Sequence, residues 1–272
     1  MDCKKTKYFK NELYNCDCLD LMKEIENEKI QLTITSPPYF NLKDYQDGFL
    51  KWDSYNSYIE DNKKWFKELF RITRPGGYVC WNIQENLPNP TNGERLDYPL
   101  MADIIKIAYD LGFIHERNIY WNKHNSTQIY FGSYPKPGTP IFMCQTEVIM
   151  IFRKRGKYQG NEQERTQCSL SKDRWFTITN NVWEIAPASA KERNHDAPFP
   201  KEIPRRFIEI MSVPSDYIFE PFAGSGTTLE VCNELNRNCI ASEISEKYYN
   251  DIVQRINFKQ LDIFNFPGDD KN

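Results

Sequence analysis

The sequence predicts an α/β fold in which helices cover both faces of a mostly parallel sheet. Short apolar or β-branched runs alternate with longer segments whose apolar residues recur at helical spacing. Glycines and prolines mark the transitions between them. With 272 residues, 40% of them hydrophobic, the chain is long enough for one large core. These observations favour a folded catalytic or binding protein over a disordered adaptor.

The first half of the chain supplies three predicted strands and two predicted helices. The run KIQLTITS is short, rich in β-branched residues and ended by prolines, which is typical of a buried strand. An amphipathic helix follows and is stopped by RPGG, and a second helix opens at a proline and closes at a glycine. The predicted order is strand 29–36, helix 57–73, strand 78–83, helix 99–113 and strand 146–154.

The periodicity weakens after residue 153 and returns near the C-terminus. A helix is predicted at 203–212, and residues 216–256 read as strand, glycine turn, helix, strand and helix. The polar stretch between them has no such pattern. We therefore predict one domain in two halves, residues 1–152 and 195–272, separated by an insert at 153–194.

The charge of the chain is unevenly distributed. The formal net charge is −3, yet residues 153–206 contain 12 Lys/Arg against 7 Asp/Glu. For a charge cluster alone, a solvated surface lobe is the default interpretation. Contact with a polyanion such as DNA is the alternative.

Several classes of protein are disfavoured by composition. No apolar run approaches the ~18 residues of a membrane span, and the start of the chain has no signal-peptide pattern. The eight cysteines form no repeated C-x-x-C spacing, so we interpret them as reduced thiols and expect no metal site. The expectation is a soluble cytoplasmic protein.

A glycine turn, EPFAGSGTT at 220–228, indicates a cofactor loop. It follows a strand and opens a helix, where backbone N–H groups can approach a ligand. Thr227 stands where a P-loop needs lysine, and Leu229 where a dinucleotide loop needs a small residue. Glu243 ends the next strand at a distance suited to ribose hydroxyls. A ribose-bearing cofactor without a phosphate chain fits best, although a plain helix start and a surface glutamate would each explain one feature.

Three segments together resemble one enzyme family. TSPPY at 35–39, RPGGYVCWNI at 74–83 and the stretch 195–249 are similar to the S-adenosylmethionine-dependent DNA amino-methyltransferases. In that family a [DNS]-P-P-[YFW] catalytic motif and an F-x-G-x-G cofactor motif share one sheet, and the order found here is that of the β class. The resemblance covers nearly the whole chain except roughly 155 to 190. It implies a Rossmann-like methyltransferase sheet with a small target-recognition insert at 153–194.

The resemblance assigns the TSPPY motif to catalysis. Ser36 would offer its side-chain oxygen, and Pro37 its carbonyl, to the hydrogens of an exocyclic amine. Pro37 and Pro38 fix the backbone and remove competing N–H donors. Tyr39 would stack on a base that has been flipped out of the duplex.

The cofactor residues follow from the same resemblance. The loop would consist of Phe222, Ala223, Gly224, Ser225 and Gly226, with Thr227 and Thr228 holding the methionine carboxylate and Glu243 the ribose. Asp17 and Cys18 would lie against the adenine, although helix capping is the default role for such an aspartate. Phe199 would cover the methionine end. His195 has no partner suggesting catalysis and is assigned none.

DNA contacts are expected from the basic insert and from one aromatic residue. The predicted set is Phe40, Arg153, Lys154, Arg155, Lys172 and Arg174. Phe40 or Phe152 could form a second wall for the base. For Phe152, core packing is the favoured interpretation.

The residue at the first position of the catalytic motif bears on which base is methylated. In the resembled family, serine there usually accompanies cytosine-N4 methylation, so Ser36 favours that product, with adenine-N6 left open. Cytosine-C5 methylation needs a cysteine after proline, and none of the eight cysteines follows one. A methyltransferase acting on a protein or small-molecule amide or amine is a further alternative, as is a non-catalytic protein of the same fold. A cognate restriction endonuclease is an expected partner.

Overall fold

The computed structural model describes most of the chain. The described residues exclude 1–3, 9, 41–51, 88–89, 92–93, 96, 124–132, 134, 139, 141, 143–144, 189–198 and 265–272, so His195 lies outside them. The strands are β1 Lys4–Tyr8, β2 Asn11–Asn15, β3 Ile30–Thr35, β4 Thr73–Ile83, β5 Pro90–Thr91, β6 Glu94–Arg95, β7 Phe113–Asn122, β8 Thr146–Lys154, β9 Val182–Glu184, β10 Tyr217–Glu220 and β11 Asn238–Ser242. The helices are α1 Cys18–Glu24, α2 Tyr55–Ile72, α3 Leu100–Asp110, α4 Glu162–Gln167, α5 Lys172–Thr179, α6 Glu202–Met211, α7 Thr227–Glu234 and α8 Glu246–Phe264.

A nine-stranded sheet organises the described residues, in the order β1-β2-β11-β10-β3-β4-β8-β7-β9. The strands from β2 to β4 in this order run parallel to one another. β8 is antiparallel to both of its neighbours, and β1 is antiparallel to β2. The predicted sheet, mostly parallel with helices on both faces, is confirmed.

The parallel strands give the sheet two distinct edges. We call the edge where β2, β11, β10, β3 and β4 end the carboxyl edge, and the edge where they begin the amino edge. β10 connects through α7 to β11 on one side, whereas β3 connects through α2 to β4 on the other. The loops after β10 and β3 therefore diverge, which opens a crevice at the carboxyl edge, the usual ligand position in such sheets.

Alternating side chains of the strands build one apolar layer on each face. Val79, Trp81 and Ile83 of β4 face one buried cluster, which contains the apolar residues of α2 and α3. Cys80 faces the other cluster, together with Leu32 and Ile34 of β3 and residues of α6, α7 and α8. In α2, buried positions recur at helical intervals, which explains why the sequence pattern predicted this helix.

Two departures from the sequence prediction have local causes. β4 begins at Thr73 rather than at residue 78, because the RPGG segment ends α2 but continues as strand. β7 was not predicted, since its sequence FIHERNIYWN carries polar residues and a register shift between His115 and Arg117 that disturb strict alternation.

The first half of the predicted target-recognition insert lies at the amino edge. Buried Asp216, just before β10, accepts hydrogen bonds from the Tyr158 hydroxyl at 2.7 Å and from the Arg74 guanidinium at 2.5 Å. Ser215 donates to Glu164 of α4 through its backbone N–H and hydroxyl. These contacts tie residues 158–164 to the end of the sheet opposite the crevice, so this part of the insert is structural.

Asp216→Ala should lower the free energy of unfolding by about 3 kcal/mol, because Nη2 of Arg74, the Tyr158 hydroxyl and the buried Val213 N–H lose their acceptor, while Nε of Arg74 keeps Gln31. Exposed Glu162→Ala, which breaks the ion pair with Arg165, should change it by less than about 1 kcal/mol. Urea unfolding of both variants measures the difference. Equal small effects would show that the insert is not anchored at this edge.

Candidate active site

The two sequence motifs meet at the crevice because β3 and β10 are paired. The register aligns Leu32 with Ile218 and Thr33 with Phe219. Ser36 and Phe222, three residues further along their strands, therefore begin neighbouring loops. The Thr35 hydroxyl donates a hydrogen bond to Oε1 of Glu220, which joins the last residues of the two strands.

The catalytic motif is held tightly against the core. The Ser36 Oγ lies 3.3 Å from the hydroxyl of Tyr39, and the buried Tyr58 hydroxyl donates to the Pro38 carbonyl at 3.2 Å. Pro37 and Pro38 are buried, whereas Ser36 is half-buried. The Tyr39 ring is 9% exposed, so little of its surface is open in the structure.

Polar residues that sequence reasoning missed lie behind this motif. Nδ2 of buried Asn82, near the end of β4, is 3.3 Å from Ser36 Oγ and 3.4 Å from the Tyr39 hydroxyl. The same nitrogen donates to Oε2 of Glu147 on β8 at 2.6 Å, and Glu147 is paired with Lys123. The available signal was a polar residue in each of two apolar runs, Asn82 in VCWNI and Glu147 in EVIMIF.

The glycine loop has the conformation that its sequence predicts. Gly224 and Gly226 have φ angles of 51° and 71°, in the left-handed region that glycine adopts without strain. A Cβ at Gly226 would also lie 2.9 Å from a side-chain carbon of Ile252 in α8. α7 then begins at Thr227, so the loop directs a helix N-terminus towards the carboxyl edge.

Glu243 faces this loop with its acceptors partly free. Its Oε2 accepts from the Gly224 N–H at 2.6 Å, and its Oε1 accepts from the Ser245 N–H at 2.9 Å. A carboxylate has about four lone-pair positions, and the Ile244 N–H is a third backbone donor to Glu243, so about one position is left for a further donor. Burial raises the pKa of Glu243 to about 7, opposed by these backbone N–H groups.

Glu220 is a second buried carboxyl group at the same edge, and no role was predicted for it. Besides Thr35, it accepts from the Thr228 hydroxyl at 2.8 Å and from the Phe222 N–H at 3.2 Å. Burial raises its pKa to about 8, while these three donors act in the opposite direction. The carboxyl group thus joins the strand before the catalytic motif to the cofactor loop.

The remaining loop residues make contacts within the protein. The Ala223 N–H donates to the Ser242 carbonyl, and the Ser225 and Thr227 hydroxyls are 3.0 Å apart. The Phe222 ring packs edge-on against Trp65, at 5.1 Å between centroids. Since the Thr228 hydroxyl is bonded to Glu220, the predicted contact of Thr227 and Thr228 with a ligand would fall mainly to backbone N–H groups.

The other predicted cofactor residues lie near the same edge. Asp17 follows β2, and its Oδ1 caps α1 by accepting from the Leu19 N–H at 2.7 Å, which is the default role of such an aspartate. Cys18 is buried as the first residue of α1. The ring of Phe199 packs edge-on against Trp121, with centroids 6.1 Å apart, at the end of β7.

Two of the predicted DNA-contacting residues, Arg153 and Lys154, lie at the amino edge of the sheet, opposite the crevice. Arg153 pairs in register with Tyr78, whereas Val148 pairs with Ile83 at the carboxyl edge, roughly 16 Å away along the strand. Arg153 is bound to Glu116, and Lys154 donates to the carbonyls of Phe70 and Thr73. The structure does not bring them to the catalytic motif, because antiparallel β8 ends at the amino edge.

The other members of that predicted set have varied surroundings. Arg155 is exposed in the turn after β8, and exposed Lys172 lies over the Phe176 ring. Arg174 is held by Glu202 and Glu209 of α6, at 2.8 and 2.7 Å.

The two aromatic residues considered as a second wall for the base lie in different places. Phe40 belongs to an aromatic cluster beside the motif, and its ring centroid is 5.7 Å from that of Tyr58. Phe152 is fully buried against Phe66, as core packing requires.

Two kinds of feature are absent from the described residues. No helix among them is long and apolar enough to cross a membrane. No group of three or more His, Cys, Asp or Glu side chains in the described part of the chain could hold a metal ion.

Known proteins resemble this chain in sequence and in structure. It is 30% identical to the Type II methyltransferase M.MjaI of Methanocaldococcus jannaschii, over 88% of this chain and 89% of the relative. A proposed DNA modification methylase from Thermus thermophilus, solved with S-adenosyl-L-methionine, is 25% identical with a TM-score of 0.75, covering 94% and 95% of the two chains. The cytosine-N4-specific PvuII DNA methyltransferase shares the fold, with a TM-score of 0.66, 20% identity and coverage of 94% and 91%.

A family model identifies the class of protein. Residues 30–254 match the DNA methylase family of N6/N4 methyltransferases. The matched range includes the catalytic motif, the glycine loop and Glu243. The chain therefore belongs to this family and is a DNA methyltransferase, and the predicted methyltransferase fold is confirmed by its structural relatives.

Glu220→Gln should become more stable relative to the unsubstituted protein as the pH rises. Because burial raises the pKa of Glu220 from about 4.5 to about 8, its contribution to stability is complete below pH 4.5 and is lost as the pH approaches 8. Glutamine does not titrate, and Glu243 titrates in both proteins. Urea unfolding without cofactor should show a relative shift of about 1 kcal/mol per pH unit between pH 5 and 8. A pH-independent difference would contradict the assigned burial effect.

Proposed function

We propose that this protein is a Type II DNA methyltransferase of the β class that transfers a methyl group from S-adenosylmethionine to the N4 amine of cytosine in duplex DNA. The observation that carries the proposal is the pairing of β3 with β10. It sets an acceptor-rich, amide-poor turn directly beside a glycine loop followed by an acidic residue. Membership of the DNA methylase family supports the substrate class.

The residues around the glycine loop are suited to binding S-adenosylmethionine. Glu243 keeps lone-pair capacity that would accept a hydrogen bond from a ribose hydroxyl, and that contact would favour its ionised form. The N–H groups of the glycine loop and the start of α7 would hold the methionine carboxylate. Asp17, Cys18 and Phe199 would line the rest of the pocket. When bound, S-adenosylmethionine supplies an activated methyl group on a sulfonium.

The catalytic turn would prepare the amine for attack. The nitrogen lone pair of an exocyclic amine is delocalised into the base ring. Acceptors that bind both amine hydrogens favour a more tetrahedral nitrogen, whose lone pair can then be directed at the methyl group. Ser36 Oγ and the Pro37 carbonyl are the acceptors, and Tyr39 is the stacking surface for the flipped base. The enzyme thus contributes position and hydrogen bonds.

The choice of cytosine rests on Ser36. A serine at this position usually accompanies N4 methylation in the family that the motifs resemble. The family itself includes N6-adenine enzymes, so adenine is the outcome that would replace cytosine in the test below. The relative from M. jannaschii is a Type II methyltransferase. By analogy, this protein would protect DNA from a cognate restriction endonuclease.

DNA would approach the carboxyl edge. Both motifs open there, whereas Arg153 and Lys154 lie at the opposite edge. Recognition would then rely on loops at the carboxyl edge and on the segment after β9, with the phosphates bound by cations near them. Under this proposal, the target-recognition role would fall to the second half of the 153–194 insert.

Nucleoside mass spectrometry tests the reaction. Mixed-sequence duplex DNA is incubated with the protein and S-adenosylmethionine labelled in the methyl group, then digested to nucleosides. Labelled N4-methyl-2′-deoxycytidine is the expected product. Labelled N6-methyladenine would overturn the base assignment alone, and no labelled nucleoside would overturn the proposed DNA methylation by this chain.

Substitutions in the two motifs should affect different parameters. Ser36→Ala should lower kcat about 100-fold or more with an unchanged dissociation constant for S-adenosylmethionine, because it removes an acceptor from the reacting amine. Glu243→Ala should weaken cofactor binding about 10-fold or more, because ribose hydroxyls lose a charged acceptor. Single-turnover methyl transfer and calorimetry separate the two effects. Normal turnover in Ser36→Ala would refute its assigned role.

A further inference from the structure

A chain of polar side chains, two of them buried, runs away from Ser36. It consists of Asn82 on β4, Glu147 on β8 and Lys123 just after β7. Asn82 is 1% exposed and Glu147 8% exposed, on strands whose other buried residues are mostly apolar. Burying such groups is unfavourable unless they are paired, so their presence here needs an explanation.

Glu147 determines which way the Asn82 amide is turned. Its carboxylate, paired with Lys123, has only acceptors to offer, so Asn82 must present Nδ2 to it, at 2.6 Å. The other end of the amide, Oδ1, is buried and has no hydrogen-bond partner among the described residues. An unsatisfied buried carbonyl is destabilising, and it persists because the contact with Glu147 prevents the amide from reversing.

This orientation controls the hydroxyl of Ser36. Nδ2 of Asn82 lies 3.3 Å from Ser36 Oγ, so a hydrogen of the amide can occupy one lone pair of that oxygen. The hydroxyl hydrogen of Ser36 can be directed at the backbone carbonyl of Asn82, 3.5 Å away. A hydroxyl has two lone pairs, so one is available to accept from a substrate amine when the Tyr39 hydroxyl, 3.3 Å away, does not donate to Ser36.

We propose that Glu147 is a positioning residue for methyl transfer: by fixing the Asn82 amide, it keeps Ser36 as a hydrogen-bond acceptor facing the target amine. This inference rests on the proposed function, in which Ser36 accepts an amine hydrogen. Glu147 itself does not contact the reacting atoms. Lys123 supports it by holding the second carboxylate oxygen.

Glu147→Gln tests the orientation with almost no change in volume. Lys123 needs an acceptor, so the introduced glutamine would turn its carbonyl to Lys123 and its amide nitrogen to Asn82. The Asn82 amide would then reverse and offer Oδ1 to Ser36, whose hydroxyl would become a donor. We expect kcat to fall about 10- to 100-fold, less than for loss of a direct contact, with KM for DNA and cofactor affinity within about twofold.

Glu116→Gln is the matched control. Glu116 lies on β7 and is also paired with a cation, Arg153, but near the amino edge. Its substitution removes a Glu–cation pair of the same chemistry, at a more exposed position and without contacting Asn82, so kcat should stay unchanged. Thermal unfolding of both variants shows whether a general loss of stability accounts for the effect.

A double-mutant cycle separates positioning from a structural role. If Glu147 acts only through the Asn82 amide, Glu147→Gln should have almost no further effect on kcat in the Asn82→Ala background. An equal fall in both backgrounds would overturn the proposal, and so would unchanged kcat in Glu147→Gln alone. An unsubstituted protein that methylates no base would instead overturn the proposed function and, with it, this role. If the protein methylates adenine rather than cytosine, the assigned base changes. The double-mutant cycle then tests the role of Glu147 in the same way, with adenine methylation as the measured reaction.

Discussion

The parallel pairing of β3 with β10 is the constraint on which the rest of the site depends. These strands are joined by few backbone pairs, from Ile218 to Phe219, yet their ends carry the catalytic turn and the glycine loop. A slip of one residue would turn every side chain of β3 to the other face. Ser36 would then leave the crevice and Thr35 would lose Glu220, so the register and the site are specified together.

Buried carboxyl groups make the carboxyl edge a preorganised polar surface. Glu220 and Glu243 are removed from water, which raises the pKa of each, and both are held by hydrogen-bond donors from neighbouring loops. Glu147 and Asn82 are buried on the other side of Ser36, and Glu147 pairs with the half-buried Lys123. Such groups lower stability at neutral pH relative to an apolar core. Their cost is consistent with a site that must fix a cofactor and an amine in one geometry.

Much of this arrangement could be predicted from the sequence. The run KIQLTITS, the periodicity of α2 and the EPFAGSGTT turn are local signals, because strand alternation, helix spacing and glycine conformations depend on neighbouring residues. Glu243 was proposed as a cofactor residue from its spacing to the loop. Asn82 and Glu147 were not, because their significance depends on the antiparallel pairing of β4 with β8, which joins residues 65 positions apart.

The predicted DNA-contacting residues illustrate the same limit. The run of basic residues at 153–155 shows how many cations this segment carries. It does not show in which direction β8 runs through the sheet. Since β8 is antiparallel to β4, its basic end lies at the amino edge, where Lys154 is bound by backbone carbonyls. Composition predicted which residues are cationic, and only the topology shows where they lie.

The most direct measurement is a structure of the protein with S-adenosylhomocysteine and duplex DNA containing its target site. The account predicts a cytosine outside the helix, with its N4 nitrogen at hydrogen-bond distance, about 3 Å, from both Ser36 Oγ and the Pro37 carbonyl. The ribose of the cofactor product should contact Glu243. A target amine bound by other residues, or a cofactor seated away from the glycine loop, would contradict the account.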